Sequence, residues 1–158
     1  MKELIEWSND LSVNIQEIDE QHKILVALLN KLYASIITSD DQTVIHEVLT
    51  ELTQYTIIHF AVEESLMRIF HYPDYEEHKQ QHAELTQQVI DLKNKVTSGK
   101  TQISMETLDF LRQWLTRHIM GEDRKYVTCF LEHGMEKTWA SDLGWDASGV
   151  HKPKKIRL

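Results

Sequence analysis

Residues that interrupt helices are scarce in this chain. Its 158 residues include only two prolines and five glycines, so long uninterrupted helices are possible. A single cysteine, Cys129, excludes an internal disulfide and leaves too few thiols for a cysteine-ligated metal site. No apolar run is long enough to cross a bilayer, and the N-terminus lacks the apolar stretch of a signal peptide. We therefore expect a cytoplasmic protein.

Positive charge is also in short supply. Lysine and arginine number 17 against 25 aspartates and glutamates, which gives a formal net charge of -8. Binding of nucleic acid by such a surface is disfavoured. A length of 158 residues suits one compact domain with its own core. Histidine, by contrast, is abundant: the chain has nine, and their positions need an explanation.

Apolar residues recur with the helical period in four segments. These cover about 19–37, 42–70, 74–97 and the region from about 104 onward. Turn signals separate them: Thr38-Ser-Asp-Asp41, the proline-containing His71-Tyr-Pro-Asp74, and Ser98-Gly-Lys100. Short connections between amphipathic helices favour antiparallel neighbours. The sequence therefore predicts an all-α fold, an up-down-up-down antiparallel four-helix bundle with an N-terminal arm and a C-terminal tail.

The predicted bundle occupies residues 19–133. Residues 1–18 alternate apolar and polar positions without a helical period and predict an arm that lies across the bundle. Residues 134–158 form a C-terminal extension that contains Trp139 and Trp145 and ends in a basic run. Two interpretations are open for this extension: a tail held loosely by charge, which we favour, or a segment that docks on a partner.

Five histidines fall on the apolar faces of the predicted helices: His22, His59, His78, His82 and His118. His59 and Glu63 are four residues apart, so they share one helix face, and His78 and His82 repeat that spacing. A lone histidine in such a position is usually a hydrogen-bonded core residue. In an antiparallel bundle, however, all five converge toward one end of the core. Burying unpaired imidazoles would cost about 1–3 kcal/mol each, so the pattern predicts a metal centre.

The donor types indicate which metals the centre would hold. Five imidazoles exceed the needs of one tetrahedral zinc, and carboxylates without thiolates suit a pair of octahedral first-row ions. Glu63 supplies one carboxylate. The second is left open by spacing, because Asp123 would lie ~140° around an ideal helix from His118, whereas Glu122, four residues after His118, is the simpler choice. A π-type turn near Gly121 could bring Asp123 round.

Four motifs carry a resemblance to a known family: His22 after Asp19-Glu-Gln, His59-Phe-Ala-Val-Glu63-Glu64, His78-Lys-Gln-Gln-His82, and His118-Ile-Met-Gly-Glu-Asp123. Over about 7–133 the chain resembles the hemerythrins, in particular the single-domain bacteriohemerythrins. The resemblance implies Asp123 rather than Glu122 as the second carboxylate. It implies that His78, His82 and His118 ligate one iron and His22 and His59 the other, with Glu63, Asp123 and an oxo or hydroxo group as bridges.

The resemblance also implies a function. We expect reversible dioxygen binding for storage, delivery or sensing, and no enzymatic activity beyond weak side oxidase or peroxidase chemistry. The alternative is a di-iron enzyme that acts on oxygen, peroxide or nitric oxide. Oxygen-activating di-iron bundles use Glu-x-x-His pairs, and this sequence has none, which favours the carrier. Dioxygen is the expected partner, with no nucleic acid and no membrane. A protein that accepts oxygen or electrons is not identified.

The surroundings of the site are predicted from the same comparison. Phe60, Trp114 and Ile119 are similar to bulky residues that line the family's oxygen pocket; the alternative is that they are ordinary core residues. Asp19 is either the N-cap of the first helix or an acceptor that orients His22. Glu64 is expected to be solvated. The four remaining histidines match no ligand position and are predicted at the surface: His46, His71, His133 and His151.

Overall fold

The structure, a computed structural model, describes residues 2–38, 41–99 and 103–134. It has helices α1 (Gln16–Thr38), α2 (Gln42–Ile69), α3 (Tyr75–Thr97), α4 (Met105–Arg117) and α5 (Arg124–Glu132). A π-helical turn, His118–Asp123, joins α4 and α5 into one long fourth helix. The described residues contain no strand, and α2 packs against both α1 and α3. The predicted all-α four-helix bundle is confirmed.

The ends of the helices have the local chemistry that the sequence indicates. The Asp41 side chain caps α2 by accepting a hydrogen bond of 2.9 Å from the Thr43 amide. The Ser104 hydroxyl caps α4 by accepting one of 3.1 Å from the Thr107 amide. After α3 the chain turns at Gly99, where φ is 71°, a conformation that glycine adopts without strain. These caps place the helix boundaries close to the predicted ones.

The first helix begins earlier than predicted. Its first residue is Gln16, not a residue near Asp19, because the chain has already turned at Asn14, where φ is 60°. Asp19 therefore lies inside the helix and is not its N-cap. Its carboxylate accepts hydrogen bonds from the Val13 amide at 2.8 Å and from the Ser12 hydroxyl at 2.5 Å. Asp19 thus fixes the loop before α1.

The N-terminal segment packs on the bundle as an arm. The Ile5 amide donates to Asn30 Oδ1 at 2.8 Å, and Asn30 Nδ2 donates to the Ile5 carbonyl at 2.8 Å. Leu11, Val13 and Ile15 are buried. The Arg124 guanidinium also donates to the Asp10 carbonyl, which ties the arm to the start of α5. The exact division into an arm, a bundle and an extension stays a prediction, and residues 135–158 lie outside the described residues.

Aliphatic side chains fill most of the space between the helices, among them Leu29, Leu32, Leu49 and Leu108. The histidines predicted to bind metal form a separate buried layer of this core. Within the described ranges, no helix has both the length and the apolar character that crossing a bilayer requires.

Candidate metal centre

The seven side chains predicted as metal ligands meet in one buried cluster. They come from all four helices: His22 from α1, His59 and Glu63 from α2, His78 and His82 from α3, and His118 and Asp123 from the π-helical turn. Each is at most 5% exposed. Their potential ligand atoms form two overlapping groups, and within each group these atoms lie within 4.8 Å of one another.

The direction of each helix explains why the cluster forms at a single level. His22 is in the second turn of α1, and His78 and His82 are in the first turns of α3. His59 and Glu63 come late in α2, which runs the opposite way. Spacings of four residues then place Glu63 one turn after His59, and His82 one turn after His78, on the same face of each helix. The convergence predicted from periodicity and direction is present in the structure.

The π-helical turn decides which carboxylate enters the core. Because a π turn holds more residues than an α turn, Asp123 comes round to the side of His118, and its Oδ1 lies 2.9 Å from His118 Nε2. Asp123 is 1% exposed. The Glu122 side chain is 31% exposed and pairs with Lys125 at 3.0 Å. The expected π turn is confirmed, and it leaves Glu122 outside the cluster.

Each of the two carboxylates spans the cluster. Glu63 Oε1 lies 3.0 Å from His22 Nε2 and 2.6 Å from His59 Nε2, while Glu63 Oε2 lies 3.2 Å from His82 Nε2. Asp123 Oδ2 is 3.1 Å from His22 Nε2. Its other oxygen, Oδ1, is 3.0 Å from His78 Nε2. One oxygen of each carboxylate therefore faces the group of two histidines, and the other oxygen faces the group of three.

Without a cation, the carboxylates raise the pKa values of three imidazoles, those of His22, His78 and His82. Burial opposes a charged His22, but hydrogen bonds and charge from Asp123 and Glu63 outweigh it and raise the pKa of His22 to about 10. The same balance raises the pKa of His78 to about 9. Conversely, burial would raise the pKa of Glu63, but the neighbouring imidazoles bring it well below its usual value. The centre thus strongly favours positive charge.

Hydrogen bonding does not satisfy all the polar atoms that face the middle of the cluster. Glu63 Oε2, Asp123 Oδ1 and the Nε2 atoms of His59 and His78 are buried, and their short contacts within the cluster do not have the geometry of hydrogen bonds. The Nε2 atoms of His82 and His118 face each other at 3.1 Å. Buried polar atoms rarely lack partners, and nitrogen and oxygen donors arranged around a common space suit a first-row cation. The residues therefore fit a metal centre.

Three residues that support the cluster were not predicted. His59 Nδ1 lies 2.6 Å from Gln21 Oε1, and His82 Nδ1 lies 3.2 Å from Glu64 Oε2. The Tyr126 hydroxyl donates to Glu63 Oε1 at 3.3 Å, and burial raises the pKa of Tyr126 so that it keeps its proton. The expectation that Glu64 is solvated holds only in part: its side chain is 21% exposed, but its Oε2 contacts His82 of α3. Tyr126, three residues after Asp123, could have been found from helical spacing.

The three predicted oxygen-pocket residues lie in different surroundings. Phe60 is buried and stacks on His82, with ring centres 3.8 Å apart and planes 2° apart. Trp114 stacks on His118 at 4.6 Å, but it also lines an open surface cleft of about 290 Å³. Ile119 is fully buried. Their role around oxygen stays a prediction.

Two comparisons with known proteins bear on this cluster. The family model described as the hemerythrin HHE cation binding domain matches residues 13–130. The chain belongs to the hemerythrin family. A bacteriohemerythrin of Stenotrophomonas maltophilia (strain R551-3) is 36% identical over 124 residues, which are 78% of this chain and 80% of that protein. A bacteriohemerythrin of Methylococcus capsulatus is 32% identical over 80% of this chain and 96% of its own length.

Solved hemerythrin structures share the fold. A crystal structure of wild-type hemerythrin superposes with a TM-score of 0.76 at 31% identity, over 80% of this chain and 98% of that one. These relatives and this solved structure are named as bacteriohemerythrins and a hemerythrin, not as enzymes. Their names agree with the predicted lack of enzymatic activity. Its cluster of histidines and carboxylates fits the di-iron site that family membership implies.

Proposed function

We propose that this hemerythrin binds dioxygen reversibly at a non-haem di-iron centre, for oxygen storage, delivery or sensing. His78, His82 and His118 would hold one iron and His22 and His59 the other. Glu63 and Asp123, with an oxo or hydroxo group, would bridge the two. The observation that carries the proposal is the orientation of these carboxylates, since each directs one oxygen to each histidine group.

The two histidine groups offer unequal numbers of donors. With one oxygen from each carboxylate, the group of three histidines presents five protein donors, and the group of two presents four. An octahedral ion at the second position would therefore have more room for a ligand from solution. When bound, a pair of ferrous ions supplies two electrons and an open position for dioxygen. This inequality favours a binding site over a purely structural one.

Apolar side chains line a small space on one side of the cluster. An apolar cavity of about 30 Å³ lies one helical turn from the ligands and is lined by leucines, Val89, Thr56 and Phe60. Leu25 follows His22 by three residues, and Leu115 precedes His118 by three, so the cavity lies about one helical turn from these two ligands. A space with such an apolar lining suits a small apolar molecule. Dioxygen is such a molecule.

Hydrogen bonds hold the Glu63 carboxylate in place. Tyr126, fully buried against Phe130, donates to the Glu63 oxygen that faces His22 and His59. That oxygen therefore has a neutral donor beside it as well as the imidazoles. The phenol keeps Glu63 oriented between the two histidine groups without adding charge to the centre.

An oxygen-cycling experiment tests the proposed function. The iron-loaded protein is reduced without oxygen and then moved repeatedly between oxygen and vacuum while its visible spectrum is recorded. We expect an absorption band that appears and disappears over many cycles. Oxidation that is complete and irreversible on the first exposure would contradict the carrier function, and one zinc per purified chain would contradict the di-iron centre.

Two histidine variants serve as matched controls for the assignment of ligands. His118→Ala removes a cluster imidazole and should lose iron. His46→Ala removes an imidazole that contacts Thr97 Oγ1 at the surface and should retain it. Equal iron contents in the two variants would contradict the ligand assignment.

A further inference from the structure

The imidazoles of the cluster differ in what holds their outward-facing nitrogen. All five direct Nε2 inward, toward the carboxylates. A histidine that ligates through Nε2 carries its proton on Nδ1 and can donate it to an acceptor behind the ring. For His59 that acceptor is Gln21 Oε1, and for His82 it is Glu64 Oε2. The Nδ1 atoms of His22 and His78 are buried and lack a partner among the described residues.

The two acceptors differ in charge. Gln21 offers a neutral amide oxygen to the group of two histidines, and Glu64 offers a carboxylate to the group of three. A carboxylate behind a ligating imidazole strengthens the hydrogen bond and makes the inward nitrogen a better donor. The Glu64 side chain is 21% exposed and His82 is 2% exposed, so solvent screens this interaction only in part. The charge of Glu64 therefore acts on one metal position more than on the other.

We propose that Gln21 and Glu64 are positioning residues that make the two metal positions electronically unequal. Glu64 favours higher positive charge on the ion held by His82, while Gln21 fixes the ring of His59 without adding negative charge. The inference rests on the proposed di-iron centre. It adds that the difference between the positions is set partly outside the ligands, by side chains that touch no metal.

The position of the two residues in their helices supports this assignment. Gln21 directly precedes His22 on α1 but contacts a histidine of α2, and Glu64 directly follows Glu63 on α2 but contacts a histidine of α3. Each hydrogen bond thus joins neighbouring helices at the level of the cluster. Rotation of the His59 or His82 ring about its Cβ–Cγ bond would break such a hydrogen bond. Both imidazoles are therefore held in one orientation before a metal binds.

The first test uses zinc, which is diamagnetic and does not depend on oxygen chemistry. In zinc-loaded protein, nitrogen-15 NMR follows the Nδ1–H signals of His59 and His82. Glu64→Gln keeps the shape and an acceptor oxygen but removes the charge. We expect it to move the His82 proton signal upfield and to leave the His59 signal in place. An unmoved His82 signal would overturn the inference.

The second test measures the reduction potential of the iron-loaded centre. Glu64→Gln should raise it, because the ferric state loses a negative charge behind its ligand, and Gln21→Glu should lower it. The matched control is Glu122→Gln. Glu122 also interacts through charge with a histidine of the cluster, His118, but its carboxylate accepts a hydrogen bond from Lys125. If Glu64→Gln shifts the potential no more than Glu122→Gln does, the shift comes from loss of a nearby charge and not from the hydrogen bond to His82, and the inference fails.

A third variant separates position from charge. Glu64→Leu removes the acceptor entirely and should weaken metal retention by about 10–100-fold, measured by competition with a chelator. Retention equal to that of the wild type would show that the hydrogen bond does not orient His82. Because the zinc signals are read without oxygen, a protein that passes the NMR test but fails oxygen cycling contradicts the proposed function and not this inference.

Discussion

The choice between two adjacent acidic residues shows how one position in a chain acquires its role. Glu122 and Asp123 have the same charge and nearly the same distance in sequence from His118. Asp123 is buried among four imidazoles, and its pKa is lowered: burial and Glu63 would raise it, but the charges of the imidazoles, led by His118, outweigh them. Glu122 is paired with Lys125 at the surface. Their local conformation, not their chemistry, separates them.

Asp123→Asn and Glu122→Gln therefore form a matched pair of charge removals. We expect Asp123→Asn to lose most of the bound iron, because an amide supplies no negative oxygen to either histidine group. Glu122→Gln should keep iron at the wild-type level. Metal analysis after gel filtration measures both, and greater loss of iron from Glu122→Gln than from Asp123→Asn would contradict the assignment.

Among the secondary-structure elements, the arm and the π-helical turn are the least regular parts of the described fold. The arm has no helix of its own beyond the short 3-10 turn Asn9–Leu11. It is held to α1 by the two hydrogen bonds between Ile5 and Asn30 and by buried apolar side chains. The arm is therefore attached to α1, the helix that also carries His22.

Asn30→Ala should loosen the arm. It leaves the amide and the carbonyl of Ile5 without partners, and we expect a loss of about 1–3 kcal/mol in the free energy of unfolding, measured by urea denaturation of the metal-free protein. Asn94→Ala, at an exposed position on α3, is the control and should change that free energy by less than about 0.5 kcal/mol. Equal effects would show that the arm adds no stability through Asn30.

At the scale of the whole molecule, the cluster links stability to pH and to metal. In the metal-free protein, the pKa of His22 is raised from 6.5 to about 10 and that of His78 to about 9. A raised pKa in the folded state means that protonation stabilises the fold. This contribution is complete below about pH 6.5 and is lost as the pH rises through 9 to 10.

We therefore expect the metal-free protein to become easier to unfold with urea between pH 6.5 and pH 10. Metal-loaded protein is the control, because its ligating imidazoles are already neutral and a bound cation replaces the protons. Its free energy of unfolding should not fall through titration of the cluster over that range. A metal-free protein whose stability is constant or rises from pH 6.5 to pH 10 would contradict this prediction.

Much of the molecule was open to prediction because helices are local structures. The apolar period, the capping residues Asp41 and Ser104, and spacings of four residues act within one or two turns. They predicted four helices, their approximate ends and the faces that carry His59, Glu63, His78 and His82. Antiparallel connection then brought five histidines to one level. The resemblance to hemerythrins added Asp123, which spacing alone had left undecided.

Tertiary structure alone decided the contacts between helices and the local departures from an ideal helix. The π-helical turn buries Asp123 and leaves Glu122 at the surface, although an ideal helix favours the opposite. Glu64 was expected in solvent because it is 100° from Glu63 on the helix, yet a neighbouring helix places His82 within 3.2 Å of it. Sequence periodicity specifies which face of a helix is buried. It does not specify the distance to the next helix, and these hydrogen bonds depend on that distance.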